Sequence, residues 1–184
     1  MMRVLVPALV FAVTALIAHV FVLTSMPGFI MGKAHQTFES QGIPTNRWVP
    51  SPKQTPETQR IVRPSPDLAY AICRFDTTES PVFINAPLWE GYGSLSIFDS
   101  QTDNVFVANL GSDSAFKGVY VTSADGNHGT GNSITLEGRG IALIRRLAPT
   151  QELYDQAASL VSGATCEKTE IVTSYSAATD SVSR

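Results

Sequence analysis

The chain has 184 residues, 43% of them hydrophobic, and 13 Lys and Arg against 16 Asp and Glu. Residues 4–32 contain no Asp, Glu, Lys or Arg, and residues 40–66 hold 6 of the 11 prolines, so neither stretch belongs to a packed domain. Between them and a Ser- and Thr-rich tail remain about 102 residues, which excludes two domains, a coiled coil and a multi-helix membrane protein.

Residues 1–31 form the first predicted element. The run from Val4 to Met31 is interrupted only by Thr14, His19, Thr24 and Ser25 among polar side chains, and 19 residues separate Pro7 from Pro27. As a helix that interval is about 28 Å, close to a hydrocarbon core of about 30 Å. It is too long for a cleavable h-region of about 7–15 residues, so an uncleaved transmembrane signal anchor is expected, with a cleaved signal peptide as the competing reading. Arg3 on one flank and Lys33 and Arg47 on the other leave the orientation open. His19 has no evident partner and is read as an interfacial or packing residue.

Residues 32–66 are expected to extend the helix briefly and then form a proline-rich linker, because Gly42, Pro44, Pro50, Pro52, Pro56, Pro64 and Pro66 forbid continuous helix or interior strand. This linker carries a net +3 and residues 67–168 a net −6. An acidic domain argues against nucleic acid as a partner, since phosphate binding needs concentrated Lys and Arg.

From residue 67 short apolar or alternating runs recur between turn residues, the pattern of an all-β domain. Seven strands are predicted: Tyr70 to Asp76, Val82 to Ala86, Tyr92 to Phe98, Asn104 to Asn109, Lys117 to Thr122, Ser133 to Glu137 and Ile141 to Leu147. The Gly-rich stretch from Asp125 to Asn132 reads as a hairpin loop. Between Pro149 and Gly163 the period changes to a helical one, with Leu153, Ala157, Leu160 and Val161 on one face and Thr150 as N-cap. The fold class is therefore mainly β, an antiparallel β-sandwich over 67–168 with one C-terminal helix, followed by a disordered tail over 169–184.

Cys73 and Cys166, 93 positions apart, form the one possible disulfide; two reduced, buried cysteines are the alternative. A bond would require an oxidising compartment.

No catalytic motif emerges. Gly126 to Asn132 lacks the Lys-Ser/Thr pair of a phosphate loop, Gly91-Tyr92-Gly93 leads into a strand, and His128 is the domain's single histidine. No His/Cys metal cluster can be assembled, and no cofactor is expected. Asp99, Asp103 and Asn104 read as a turn rather than a cation site. Arg145 and Arg146 must face opposite ways on a strand, so one points inward, where Asp67 or Asp99 is the expected partner. A polar cluster of Asp67, Tyr70, Tyr92, Asp99 and Arg145 is the candidate ligand or structural site on the concave sheet face.

Four segments in order carry a family likeness: Arg63-Pro64-Ser65-Pro66-Asp67-Leu68-Ala69-Tyr70, then Pro81-Val82-Phe83-Ile84-Asn85-Ala86-Pro87, then Gly91 to Asp99, then Asp103-Asn104-Val105-Phe106. Together with the Arg145-bearing strand and the closing helix, they resemble the bacterial "domain of unknown function 1254" family from about Arg63 to Leu160. Ser65, Leu68 and Gly93 depart from the patterns of the longer members. The resemblance implies a jelly-roll-like sandwich and an envelope location: single-pass in the bacterial inner membrane, with the domain facing the periplasm. Long members usually carry a second β domain, the "domain of unknown function 1214", after this one, and the present chain ends before it could begin. The expected function is a membrane-anchored, non-catalytic module acting through protein association, with a separate chain carrying that second domain as the candidate partner. The rival is a binding protein or enzyme for a carboxylate or sugar-like small molecule at the concave face.

Overall fold

The structure, a computed structural model, describes residues 2–55, 64–123 and 132–170. Helix α1 (Met2–Ser40) runs for 39 residues, about 58 Å at the α-helical rise. Its apolar side chains from Val4 to Ile30 are almost all exposed, and it is long and apolar enough to cross a membrane. Past Pro27 the helix changes character. Met31 and His35 are buried, and Gly28, Ala34 and Phe38 are half-buried, a spacing of three and four residues that gives the helix one docked face.

Nine strands follow among the described residues: β1 (Arg47–Pro50), β2 (Leu68–Asp76), β3 (Val82–Asn85), β4 (Gly93–Phe98), β5 (Asn104–Asn109), β6 (Val119–Thr122), β7 (Asn132–Thr135), β8 (Arg139–Leu147) and β9 (Thr165–Lys168). The first sheet has the order β1-β2-β8-β4-β5 and the second β7-β6-β3-β9. All neighbours are antiparallel except β6 and β7, which run parallel.

The seven predicted strands are all present. Residues that alternate along them meet in one core: Cys73, Phe75, Leu95, Ile97, Ala142 and Ile144 from the first sheet, and Val82, Ile84, Val119, Val121 and Cys166 from the second. Burying each Val, Leu, Ile or Phe there stabilises the fold by about 1.5–3 kcal/mol relative to exposure. The sandwich is held together covalently as well, because Cys73 on β2 and Cys166 on β9 are joined with their Cα atoms 6.6 Å apart.

Helix α2 (Gln151–Ser159) starts where the sequence places it. The Thr150 side chain accepts from the Leu153 amide, satisfying one of the helix's free N–H groups. A 3-10 turn over Leu160–Gly163 follows. The helix closes one end of the sandwich, with Ala157, Leu153 and Leu160 against Ala69, Trp89 and Ala148.

Three features differ from the sequence expectation. The first is β1, which lies within the stretch read as an extended linker. Trp48 is buried in the core and donates from Nε1 to the Thr165 carbonyl at 2.8 Å, and Pro50 is tolerated because β1 is an edge strand. The second is β9, four residues directly after the 3-10 turn. The third is the pairing of β6 with β7: strands that run parallel cannot be joined by a tight hairpin. Residues 124–131, with most of the predicted hairpin loop and His128, and residues 171–184, nearly all of the predicted tail, lie outside the described residues.

Candidate functional site

Strand alternation gives the first sheet an outer face opposite the core. Register places Tyr70 of β2, Arg145 of β8 and Ser94 of β4 side by side in one row on that face. Tyr92, two positions before Ser94, shares the face, and its hydroxyl lies 3.3 Å from Ser94 Oγ. Arg145 is half-buried, and no hydrogen-bond or ion-pair partner is recorded for it among the described residues. The Tyr70 hydroxyl accepts from the Ser65 amide at 2.9 Å, which ties the entry of β2 to the sheet. Around this row Tyr92 is 53% and Leu147 45% exposed, so aromatic and aliphatic surface flanks a cation.

The five-residue cluster read from the sequence is thus only partly assembled. Tyr70, Tyr92 and Arg145 come together. Asp67 precedes β2 on the opposite alternation from Tyr70, is exposed, and uses its carbonyl to accept from Ala148 N. Asp99 lies past the other end of β4, about 17 Å along the strand from Ser94. Its Oδ1 accepts from the amides of Gln101 and Asp103 at 2.8 and 2.9 Å, so it stabilises the β4–β5 turn. Ser94 is the member of the row that the sequence did not single out; its place two residues from Tyr92 was the available signal.

Arg146 is the arginine that points inward, and its partner is not the expected carboxylate. It is 1% exposed and donates from Nη1 to Ala157 O at 3.1 Å and from Nη2 to Pro87 O at 2.9 Å. Ala157 lies in the last turn of α2, where carbonyls lack intrahelical partners and the helix dipole favours a cation. Neutral carbonyls therefore replace Asp67 or Asp99. Burial pulls the guanidinium down to about 10, so it keeps its charge at neutral pH.

The docked end of α1 adds a second polar group. Arg74, 8% exposed, donates from Nη1 to the His35 carbonyl at 2.8 Å and from Nη2 to Thr45 Oγ1 at 2.9 Å. Burial holds His35 below its ordinary value, and the charges of Arg139 and Arg74 push the same way against Asp76 and Glu39. Asp76 is held low too: burial works to raise it, but the Thr78 hydroxyl and amide, with Arg139 and Lys168, outweigh that. The sequence marks Arg74, an arginine within an apolar strand, as a residue that must point outward or pair, but not His35 as its partner, because their contact spans 39 positions between two elements.

The described residues also line two openings. A groove of about 500 Å³ beside β1 and β9 is lined by Asn46, Arg47, Trp48, Ser159 and Glu167 among others. A void of about 10 Å³ lies between Tyr70, Arg146 and Tyr154. Among the described residues no group of three or more His, Cys, Asp or Glu is placed to hold a metal ion.

Comparisons with known proteins fit this architecture. A family model described as "Protein of unknown function (DUF1254)" matches residues 45–167. The VPA0106 protein from Vibrio parahaemolyticus has a similar structure, with a TM-score of 0.55 at 13% identity over 79% of this chain and 37% of that one. An uncharacterised protein from Burkholderia cenocepacia aligns with a TM-score of 0.46 at 14% identity, covering 88% of this chain and 44% of the other. The chain therefore spans less than half the length of these structures. No curated protein matches the sequence significantly.

Proposed function

Since the chain belongs to the DUF1254 family, whose description assigns no activity, we propose that it is a non-catalytic, membrane-anchored module of the bacterial cell envelope that works by protein association. In this reading α1 spans the inner membrane once, the jelly-roll-like sandwich faces the periplasm, and the partner is a separate chain carrying the domain of unknown function 1214. The observation that carries it is the outer face of the first sheet: Arg145 without a recorded partner among the described residues, flanked by exposed Tyr92 and Leu147. Exposed aromatic and Arg side chains are the residue types that anchor protein interfaces. The joined Cys73 and Cys166 support a compartment that preserves disulfides.

The test is a photo-crosslinker placed at Tyr92 in intact cells, with Gln156 on α2 as the control position. A discrete adduct at Tyr92 that contains the second domain, and that Arg145→Glu abolishes, is the expected result. Equal or absent adducts at both positions would sink the reading.

The same row favours one second reading. Arg145 between Tyr70 and Ser94 offers a cation and hydroxyls to a carboxylate or sugar-like ligand. Asp67 and Asp99 play no part in it, and a ligand-dependent rise in Tm that Arg145→Glu removes would identify it.

A further inference from the structure

Helix α1 crosses the strands of the first sheet. A Cβ on Gly28 would lie 3.2 Å from Gln101 Nε2 in the β4–β5 turn, while the His35 carbonyl accepts from Arg74 on β2. The seven residues from 28 to 35 rise about 10.5 Å, and the two strand spacings from β2 to β4 are about 9.6 Å. The helix axis therefore runs from β2 toward β5, and its exposed apolar run leaves the domain on the β5 side.

The edges of the sandwich are asymmetric along that axis. On the far side β1 and β9 lie together, joined through Trp48 and Thr165. They read Arg-Trp-Val-Pro and Thr-Cys-Glu-Lys, with the charges and proline that blunt exposed edges. On the near side β5 reads Asn-Val-Phe-Val-Ala-Asn and β7 Asn-Ser-Ile-Thr, with neither charge nor proline. Val105 is 37% and Val107 60% exposed. The unblunted edges thus lie where the apolar helix leaves.

We propose that the β5 edge and the Gln101 turn rest in the headgroup layer of the bilayer that α1 enters. This rests on the reading of α1 as a membrane anchor. The residues from Val4 to Ile30 span about 40 Å as helix, against a hydrocarbon core of about 30 Å. Gly28, near the end of that run, brings Gln101 to headgroup depth. The unpaired backbone N–H and C=O groups of an edge strand exclude the hydrocarbon itself, but the hydrated interface accommodates them, together with Asn104, Asn109, Asp99 and Asp103. The bilayer then covers the two valines, and the domain sits directly on the membrane surface.

Because no free cysteine is present among the described residues, a substituted one can be labelled alone. Full-length Val107→Cys, Gln101→Cys, Glu152→Cys and Leu16→Cys, each carrying an environment-sensitive fluorophore, are reconstituted into phosphatidylcholine vesicles containing a lipid spin-labelled near the headgroup or at the chain centre. Expected is a several-fold greater loss of fluorescence at Val107 and Gln101 than at Glu152 with the shallow quencher, and strong quenching at Leu16 with the deep one. If Leu16 is quenched while Val107 and Gln101 behave like Glu152, the proposal is overturned and the anchor stands. Efficient disulfide formation between Val107→Cys copies without lipid quenching overturns it in favour of a second copy on the same edge. If Leu16 also escapes quenching, both anchor and proposal fall.

Discussion

Arg74 on β2 donates to the main-chain oxygen of His35 on α1 at 2.8 Å. A guanidinium that is 8% exposed thus ties the sandwich to the helix carrying the apolar run. Arg74→Ala removes this charged hydrogen bond and the one to Thr45. An expected loss of about 2–3 kcal/mol is read by urea unfolding. Faster amide exchange at Gly32 to Phe38 would show that the helix has left the sheet, and unchanged exchange there would refute the tie.

His35 makes the same contact sensitive to acid. Its folded value is depressed, chiefly by burial and then by Arg139 and Arg74, so protonation favours the unfolded chain. The contribution is fully present above the unfolded value of 6.5 and is lost as pH falls from there through the folded one. Asp76, also depressed, loses its contribution separately, as pH falls below its ordinary value of 3.8. Stability measured against pH should therefore decline in two stages, and His35→Gln should flatten the first while leaving the second. A first stage that persists in the variant assigns it to another group.

Arg146→Ala leaves the carbonyls of Ala157 and Pro87 unpaired beside a cavity, at a cost of about 3–5 kcal/mol. Arg146→Met fills much of the same space without the charge and should lose less. Equal losses in guanidinium-induced unfolding would show that the charged hydrogen bonds, and not the space filled, decide stability there.

Gly140 faces the ring of Phe75: an added Cβ would meet Phe75 Cζ at 2.4 Å and the Phe98 carbonyl at 2.9 Å. Phe75 is fully buried and has no room to give way, so Gly140→Ala should destabilise by about 1–3 kcal/mol. A Tm equal to that of the parent would refute this reading of the packing.

Thiol labelling of the unfolded, unreduced protein should count no free thiol, since Cys73 and Cys166 are joined. Paired replacement of both by Ser should cost about 4–5 kcal/mol in the chain-entropy description. Two titratable thiols would refute the bond.

Alternation made most of the sheet legible, because side chains two apart share a face and the core residues Leu95, Ile97, Val119 and Val121 keep that period. It failed for β1 and β9, where Trp48 and Cys166 are each the one buried side chain of the strand, so no alternating pair shows a period. Prolines flanking Trp48 also pointed to linker. The direction of β7 relative to β6 is a property of chain path, which composition does not encode. In the candidate site, alternation correctly sent Arg145 and Arg146 to opposite faces. It could not show that Arg146 would meet main-chain carbonyls from α2 and Pro87, since main-chain acceptors carry no side-chain signature. Grouping Asp99 with Arg145 failed for a simpler reason: they sit at opposite ends of neighbouring strands.

The Cys73–Cys166 bond closes a covalent ring of chain between two positions 93 apart. A protease that cuts once anywhere inside that ring releases no fragment: both halves stay linked, through Cys73, to the helix that precedes them. Shedding the domain from its helix therefore requires a cut ahead of Cys73, unless a reductant acts as well. The attachment is only as durable as the stretch between Ser40 and Cys73, and β1 protects part of that stretch by pairing with β2.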